Sequence, residues 1–230
     1  MSDYPQQIKG CIFNLDGVIV DMSGYHFLAW RRLANELGFD FSLAQQETLR
    51  GLDRISSLEQ ILEWGGMYMS EAEKLHWADV KNNWFLESVI YMKPAEVLPG
   101  VLYFLRQIRS AGLKMALSSG SRNAKAILQS IRLDDFFDVV VDGNIVRKQK
   151  PDPNCFLMAA AALGLRPAEC VVFEDLPIGI SAALNGGIPV VGIGCREQLR
   201  DASLVISGFE GETLERILAQ LPVAQNIMNE

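Results

Sequence analysis

Four short polar segments of this chain carry side chains that together could transfer a phosphoryl group. They are Asn14 with Asp16, the small residues 118–121, Lys150, and the adjacent acids Glu174 and Asp175. Carboxylates and carbonyls are the oxygen ligands that Mg²⁺ prefers, and hydroxyls with backbone N–H groups can surround phosphate oxygens. An ammonium group can neutralise the phosphate charge. Because phosphoryl transfer depends mainly on positioning and charge stabilisation, the pattern indicates a magnesium-dependent enzyme for a small phosphorylated molecule.

Each segment also has a simpler interpretation when it is taken alone. Glu174 and Asp175 could be solvated residues of a turn, Ser119 could cap a helix, and Lys150 could be an ordinary surface lysine. Their order along the chain, at the ends of successive predicted elements, favours the joint interpretation over these separate ones.

Five short apolar runs have the length of buried strands and alternate with helical patterns. The runs are 10–13, 114–117, 139–141, 170–173 and 189–192. This alternation predicts an α/β fold with a Rossmann-like parallel sheet and helices on both faces. In such sheets the ligand site lies outside the carboxyl ends of the strands, and three of the four polar segments directly follow an apolar run.

The stretch between about residues 23 and 91 has helical periodicity and no convincing strand. Pro94 and Pro99 follow it and suit a domain boundary. The sequence therefore predicts a core domain of residues 1–21 and 94–230 with an inserted α-helical cap domain of residues 22–93.

Composition narrows the class of protein further. The 230 residues are 49% hydrophobic, which suffices for a buried core, and no apolar run approaches the roughly 20 residues of a membrane helix. With its polar N-terminal segment, the chain is expected to be cytoplasmic. A net charge of -7 argues against binding nucleic acid or an anionic membrane, and a monomer is the default expectation. The four cysteines form no CxxC pair and are expected to be reduced packing residues.

The order of the motifs resembles the haloacid dehalogenase superfamily. Its signature is D-x-D-G-[VT] after the first strand, Ser or Thr after the second, Lys before a helix, and an acidic pair after a later strand. The segment FNLDGVIVDMSGYHFLAW, the helical insert and VLPGV further resemble the β-phosphoglucomutase branch. The resemblance implies a sugar phosphate as substrate and Mg²⁺ as cofactor.

The resemblance also implies roles for individual residues. Position 14 is that of the nucleophile, which is Asp in the family, and Asp16 would be the general acid and base. Ser119, the backbone of Gly120 and Lys150 would hold the transferring phosphate. The metal ligands would be the side-chain oxygen of position 14, the carbonyl of Asp16, Glu174 and Asp175.

A mutase must also hold the second phosphate of a sugar bisphosphate. The positions that match such contacts are His26, Arg54, Lys81, Ser121, Arg122 and Asn123. The planar guanidinium of Arg54 suits a distal phosphate, although Arg54 could instead pair with a nearby acid.

Asn14 is the main departure from the family pattern. An amide cannot act as the nucleophile, although its carbonyl can still offer one metal ligand. The expected parent activity is interconversion of β-glucose 1-phosphate and glucose 6-phosphate through an aspartyl-phosphate, with the chain as given inactive. Its magnesium binding is expected to be weaker, and its ligand binding retained.

Three explanations for Asn14 compete: an exchanged nucleophile in an otherwise active enzyme, an inactive relative that binds a phosphorylated metabolite, and partial deamidation that restores the acid. The first is favoured because Asp16, Lys150, Glu174 and Asp175 are all present. A phosphatase for sugar phosphates or other small metabolites is the alternative activity. Met22, which stands where Thr or Ser is common, is a second and smaller departure.

Overall fold

Residues 8–221 are described by the computed structural model, and they fall into two compact units. Residues 8–20 and 94–221 form an α/β unit, and residues 21–93 form a helical unit. Asp21, which the sequence analysis assigned to the core domain, belongs to the helical unit. The predicted core domain extends to residues 1 and 230, and its first seven and last nine residues lie outside the described part of the chain.

A six-stranded parallel sheet forms the centre of the α/β unit. Its strands are β1 (Gly10–Phe13), β2 (Lys114–Ser118), β3 (Val139–Val141), β4 (Cys170–Glu174), β5 (Val190–Ile193) and β6 (Leu204–Ile206). They are arranged in the order β3-β2-β1-β4-β5-β6, which is the doubly wound Rossmann order. The predicted fold class is therefore confirmed. Strand β6 was not predicted from the sequence, because it has only three residues and lies at the edge of the sheet.

Four helices make up the helical unit: α1 (Ser23–Glu36), α2 (Leu43–Thr48), α3 (Arg54–Trp64) and α4 (Glu71–Val89). Three of them begin at a side-chain oxygen that accepts backbone N–H groups, on Ser42, Asp53 and Ser70. Their apolar faces enclose a small core that includes Trp30 and Phe41. No helix within residues 8–221 is both long and apolar enough to cross a bilayer.

The helices α5 (Val101–Ser110), α6 (Ala124–Ser130), α7 (Asn154–Ala162), α8 (Pro177–Asn185) and α9 (Leu214–Gln220) belong to the α/β unit. Successive strand residues point to opposite faces of the sheet, so both faces have a core. Ile12 packs with residues of α7 and α8 in one apolar cluster. Phe13 stacks on Phe173 at 4.6 Å between ring centroids, and Phe104 and Phe209 complete this second cluster.

All four cysteines lie among the described residues and are free. Cys11, Cys155 and Cys170 are buried packing residues, as expected, and burial raises the pKa of their thiols. Cys195 is exposed, so the expectation of a packing role was wrong for it.

Candidate active site

The register of the sheet brings three polar segments to one edge. Phe13 at the end of β1 pairs with Leu117 of β2 on one side and with Phe173 of β4 on the other. The next residues of these strands therefore emerge side by side. They include Asn14, which is nearly buried, and Glu174, which is fully buried.

The side chain of Asn14 connects three of the predicted site residues. Its Nδ2 donates hydrogen bonds to the carbonyl oxygen of Asp16 at 2.9 Å and to Oδ1 of Asp175 at 3.2 Å. Its Oδ1 accepts a hydrogen bond from Nζ of Lys150 at 3.3 Å. The amide nitrogen of Asn14 thus donates to both the carbonyl oxygen of Asp16 and the carboxylate of Asp175, two groups that were predicted to bind the metal.

The oxygen atoms around Asn14 can be compared with the ligands that a magnesium ion requires. Within residues 8–221, no three His, Cys, Asp or Glu side chains form a cluster that could hold a metal. Asp175 and the carbonyl of Asp16 do converge on one point, and both are oxygens of the kind that Mg²⁺ prefers. If the Asn14 amide turned to exchange its two ends, its oxygen would join them. These three oxygens therefore suit a hard cation such as Mg²⁺. The amide oxygen of Asn14 is a weaker ligand than a carboxylate oxygen at the same position would be.

Lys150 and Glu174 form a partly buried ion pair beside this point, in which the carboxylate is fully buried. Nζ of Lys150 lies 3.1 Å from Oε2 of Glu174, and Oε1 of Glu174 has no hydrogen-bond partner. Burial, with a smaller contribution from Asp175, raises the pKa of Glu174, and Lys150 opposes that rise. Lys150 also lies over the ring of Phe156 at 4.9 Å. One ammonium group thus binds both Glu174 and Asn14.

Two glycines leave the space that these acids occupy. A Cβ on Gly17, which has φ of +75°, would overlap the carboxylate of Asp175. A Cβ on Gly179 of α8 would overlap the carboxylate of Glu174. Gly17 belongs to the D-x-D-G motif, whereas Gly179 was not identified from the sequence, because its need for a small side chain depends on where the carboxylate of Glu174 lies in the folded chain.

Five of the predicted phosphate-binding residues lie in one loop between β2 and α6. This cradle loop, residues 119–123, contains Ser119, whose Oγ accepts the N–H of Ser121 at 3.1 Å. The Oγ of Ser121 in turn accepts the N–H of Asn123 at 3.2 Å. Ser119 is nearly buried, and Arg122 is exposed. The structure therefore places Ser119, Gly120, Ser121, Arg122 and Asn123 in a single tight turn.

Lys81 and His26 are in contact within the helical unit. Nζ of Lys81 lies 2.9 Å from Nδ1 of His26, and it also lies over the ring of Trp30 at 4.2 Å. Burial is the main cause that holds the pKa of Lys81 well below its ordinary value, and the charge of Arg54 adds to it. Burial, followed by the charges of Lys81 and Arg54, also lowers the pKa of His26.

Arg54 begins α3 in the same helical unit. Its Nη2 donates to Oδ1 of Asn82 at 2.8 Å, and its Nη1 lies 3.6 Å from Oδ1 of Asp79. The carboxylate of Asp79 is largely exposed, so this ion pair is screened by water. The pairing with a nearby acid that the sequence analysis left open is therefore present. The electrostatic influence of Arg54 nevertheless reaches His26 and Lys81.

Comparison with known proteins agrees with this fold. Residues 8–187 match the model of the haloacid dehalogenase-like hydrolase family. A β-phosphoglucomutase of Bacillus subtilis (strain 168) is 39% identical over 210 residues, which cover 90% of this chain and 93% of that protein. A fructose-1-phosphate phosphatase of Escherichia coli (strain K12) is 30% identical over 190 residues, which cover 82% of this chain and 97% of that protein.

Solved structures give the same result. The crystal structure of a β-phosphoglucomutase from Clostridium difficile matches with a TM-score of 0.87 at 36% identity, over 93% of this chain and 97% of that one. The chain belongs to the haloacid dehalogenase-like hydrolase family. Within that family it is similar to the β-phosphoglucomutase branch, as its sequence motifs predicted.

Proposed function

We propose that this chain is a β-phosphoglucomutase-like phosphotransferase whose nucleophile is replaced by Asn14. In the form with aspartate at position 14, it interconverts β-glucose 1-phosphate and glucose 6-phosphate. The observation that carries the proposal is the environment of Asn14, whose amide contacts Asp16, Asp175 and Lys150. Similarity to β-phosphoglucomutases over nine-tenths of the chain supports the choice of substrate.

The residues at the sheet edge would divide the reaction between them. In the Asn14→Asp form, a carboxylate oxygen at position 14 would bond to phosphorus while the bond between phosphorus and the sugar oxygen breaks. Asp16 would donate a proton to the departing sugar oxygen and later remove one from the attacking hydroxyl. Ser119, the backbone of Gly120 and the ammonium of Lys150 would hold the phosphoryl oxygens.

A magnesium ion, when bound, supplies positive charge beside the phosphoryl oxygens. We propose that Asp175, the carbonyl of Asp16 and the oxygen of residue 14 hold it. Glu174 would join them or orient Lys150, with which it pairs in the structure.

The chain as given would stop before the first covalent step. The amide of Asn14 has no negative charge, and its nitrogen has no lone pair available for attack because it is conjugated with the carbonyl. The positive Lys150 and the cradle loop are unchanged by this exchange, so the binding of phosphorylated ligands would persist.

The helical unit would hold the second phosphate of a sugar bisphosphate. Arg54, His26 and Lys81 influence one another electrostatically within this unit, and an arriving dianion would favour their charged forms. Ser121, Arg122 and Asn123 would contact phosphate from the cradle loop.

The deciding experiment compares the chain as given with its Asn14→Asp and Asn14→Ala variants. Each is assayed with Mg²⁺ for mutase activity on β-glucose 1-phosphate with a bisphosphate primer, and for phosphate release from sugar phosphates. Activity in Asn14→Asp alone is expected. Absence of both activities from Asn14→Asp, with phosphate binding retained, would instead favour a non-catalytic protein that binds a phosphorylated metabolite.

A sugar-phosphate phosphatase is the second candidate, because a fructose-1-phosphate phosphatase is 30% identical over most of this chain. Adding Arg54→Ala to the Asn14→Asp form separates the two. A mutase should lose turnover of the bisphosphate, whereas a phosphatase for small monophosphates should keep its activity. Arg50→Ala is the matched control, since Arg50 lies in the same unit and pairs with the exposed Glu47.

A further inference from the structure

The turn that follows strand β3 packs directly against the cradle loop. We call residues 142–144 the β3 turn. The N–H of Gly143 donates to the carbonyl oxygen of Ser121 at 3.1 Å, and Nδ2 of Asn144 donates to the carbonyl oxygen of Arg122 at 3.0 Å. At the start of the cradle loop, the N–H of Ser119 donates to the carbonyl oxygen of Val141 at 2.9 Å. The end of β3 and the turn after it thus bind the cradle loop at both of its ends.

The β3 turn is itself held firmly. Asp142 is nearly buried, and its Oδ1 accepts the N–H of Asn144 at 2.9 Å. Its carbonyl oxygen accepts the N–H groups of Ile145 and Val146, each at 3.1 Å. A turn closed by both the side chain and the backbone of one buried residue offers the cradle loop a rigid partner.

The approach between the two segments is too close for any side chain on Gly143. A Cβ at this position would overlap the carbonyl oxygen of Gly120 and would lie 2.9 Å from its carbonyl carbon and 3.0 Å from the backbone nitrogen of Arg122. Gly143 is not among the glycines with positive φ. The requirement for glycine is therefore set by this contact and not by backbone conformation.

These contacts orient the peptide groups of the cradle loop. In a trans peptide the carbonyl and the following N–H point in opposite directions. Because the carbonyls of Ser121 and Arg122 are bound to the β3 turn, the N–H groups of Arg122 and Asn123 point away from it. The N–H of Asn123 accordingly meets Oγ of Ser121. The same bonds keep two carbonyl oxygens, which would repel an anion, directed toward the β3 turn.

We propose that Gly143 and Asn144 are positioning residues for the transferring phosphate. They act through the cradle loop, and neither needs to touch the substrate. The proposal rests on the function proposed above, because it assumes that the cradle loop binds phosphate. It adds strand β3 and the turn after it to strand β2, which leads into the cradle loop, as elements that set the phosphate affinity of this chain.

The test measures inorganic phosphate binding to the chain as given, with Mg²⁺, by isothermal titration calorimetry. Gly143→Ala and Asn144→Ala are compared with two controls. Arg147→Ala changes an exposed residue just beyond the turn, and Ile217→Val loosens the buried side of α9, a helix that packs against α5. Circular dichroism and thermal unfolding are recorded for every variant, and the steady-state kinetics of each are measured in the Asn14→Asp background.

We expect the phosphate Kd to rise about tenfold in Gly143→Ala and about threefold in Asn144→Ala. Each substitution disturbs at least one hydrogen bond that holds the cradle loop. In the Asn14→Asp background, KM should rise more than kcat falls. Ile217→Val should lower the melting temperature and leave the phosphate Kd unchanged, which separates positioning from stability. Arg147→Ala should change neither quantity.

Folded variants that bind phosphate within about twofold of the unsubstituted chain would overturn the proposal. If Gly143→Ala does not fold, an unchanged Kd in Asn144→Ala is sufficient to overturn it. Failure of the unsubstituted chain to bind phosphate has a different meaning, because it would overturn the cradle loop as a phosphate site and with it the proposed function.

Discussion

Nδ2 of Asn14 lies 3.2 Å from Oδ1 of Asp175, and the same nitrogen lies 2.9 Å from the carbonyl oxygen of Asp16. An aspartate at position 14 would place an oxygen where this nitrogen is, facing two other oxygens. The carboxylate of such an aspartate would be repelled by the carboxylate of Asp175 and by the carbonyl oxygen of Asp16. An aspartate at position 14 therefore needs a neighbouring cation that the asparagine does not need. The amide nitrogen thus takes over part of the bonding that a metal would supply.

The first prediction is that Asn14→Asp makes stability depend on magnesium. In EDTA the variant should unfold more easily than the chain as given, by about 1–3 kcal/mol, because a buried hydrogen bond is replaced by repulsion. Millimolar MgCl₂ should raise its melting temperature more than that of the chain as given. Calorimetric melting curves of both proteins, with and without MgCl₂, measure this. Equal shifts in the two proteins would contradict the assignment of the metal to this point.

A second prediction concerns the partly buried ion pair of Lys150 and Glu174. Lys150→Met should destabilise the α/β unit by about 3–5 kcal/mol, because it leaves a fully buried carboxylate without its cation. Adding Glu174→Gln should recover part of this loss. Urea unfolding of the two single variants and the double variant gives the coupling free energy. Additive losses would mean that the two side chains do not interact in solution.

Gly179 provides a third prediction, which has a matched control in Gly24. Both glycines lie in the first turn of a helix, and alanine forms helices more readily than glycine. Gly179→Ala should nevertheless destabilise the protein by roughly 2 kcal/mol or more, because the Cβ of the alanine would overlap the buried carboxylate of Glu174. Gly24→Ala meets no atom within 4 Å and should be neutral or stabilising. Thermal unfolding of both variants checks the contrast, which disappears if Glu174 can move aside.

The fourth prediction is a pH dependence that arises in the helical unit. Lys81 and His26 have lowered pKa values in the folded protein, against ordinary values of 10.5 and 6.5. Below those values the unfolded chain binds protons that the folded chain resists, so the free energy of unfolding should fall as the pH decreases. Lysine acts from pH 10.5 down to its lowered pKa in the folded protein, and histidine adds to the effect from pH 6.5 down to its own lowered pKa.

Lys81→Met tests this dependence. The variant should be more stable at neutral pH, and its free energy of unfolding should change less between about pH 6 and pH 9. Lys74→Met is the control on the same helix, because the contacts of Lys74 with Glu59 and Glu71 raise its pKa further above this window. If the two variants have the same pH slope as the unsubstituted chain, Lys81 is charged in the folded protein.

Most of the α/β fold could be derived from local sequence patterns. Apolar runs bounded by turn residues predicted five of the six strands, and the order of the motifs predicted the family. The edge strand β6, Leu204–Ile206, and helix α9, Leu214–Gln220, were missed. Both are short, and their structure depends on the elements against which they pack.

The residue types at the sheet edge were determined by the sequence alone. Asn14, Asp16, Lys150 and the acidic pair were identified from their positions at the ends of predicted elements, because parallel strands present their carboxyl ends at one edge. Their catalytic and metal-binding roles remain predictions. Which of them contact one another was decided only by the tertiary structure.

Contacts between distant segments explain the rest. The bond from Lys150 to Glu174 and the pairing of Lys81 with His26 join residues that are 24 and 55 positions apart. Gly143 looks like an ordinary glycine in the sequence, and its lack of a side chain matters only because the cradle loop approaches it within van der Waals distance. The sequence by itself determined the chemistry available to this protein, because residue types and the order of the segments along the chain are read directly from it. The tertiary structure decided which groups are paired, buried or crowded, because those properties depend on neighbours that the linear order does not specify.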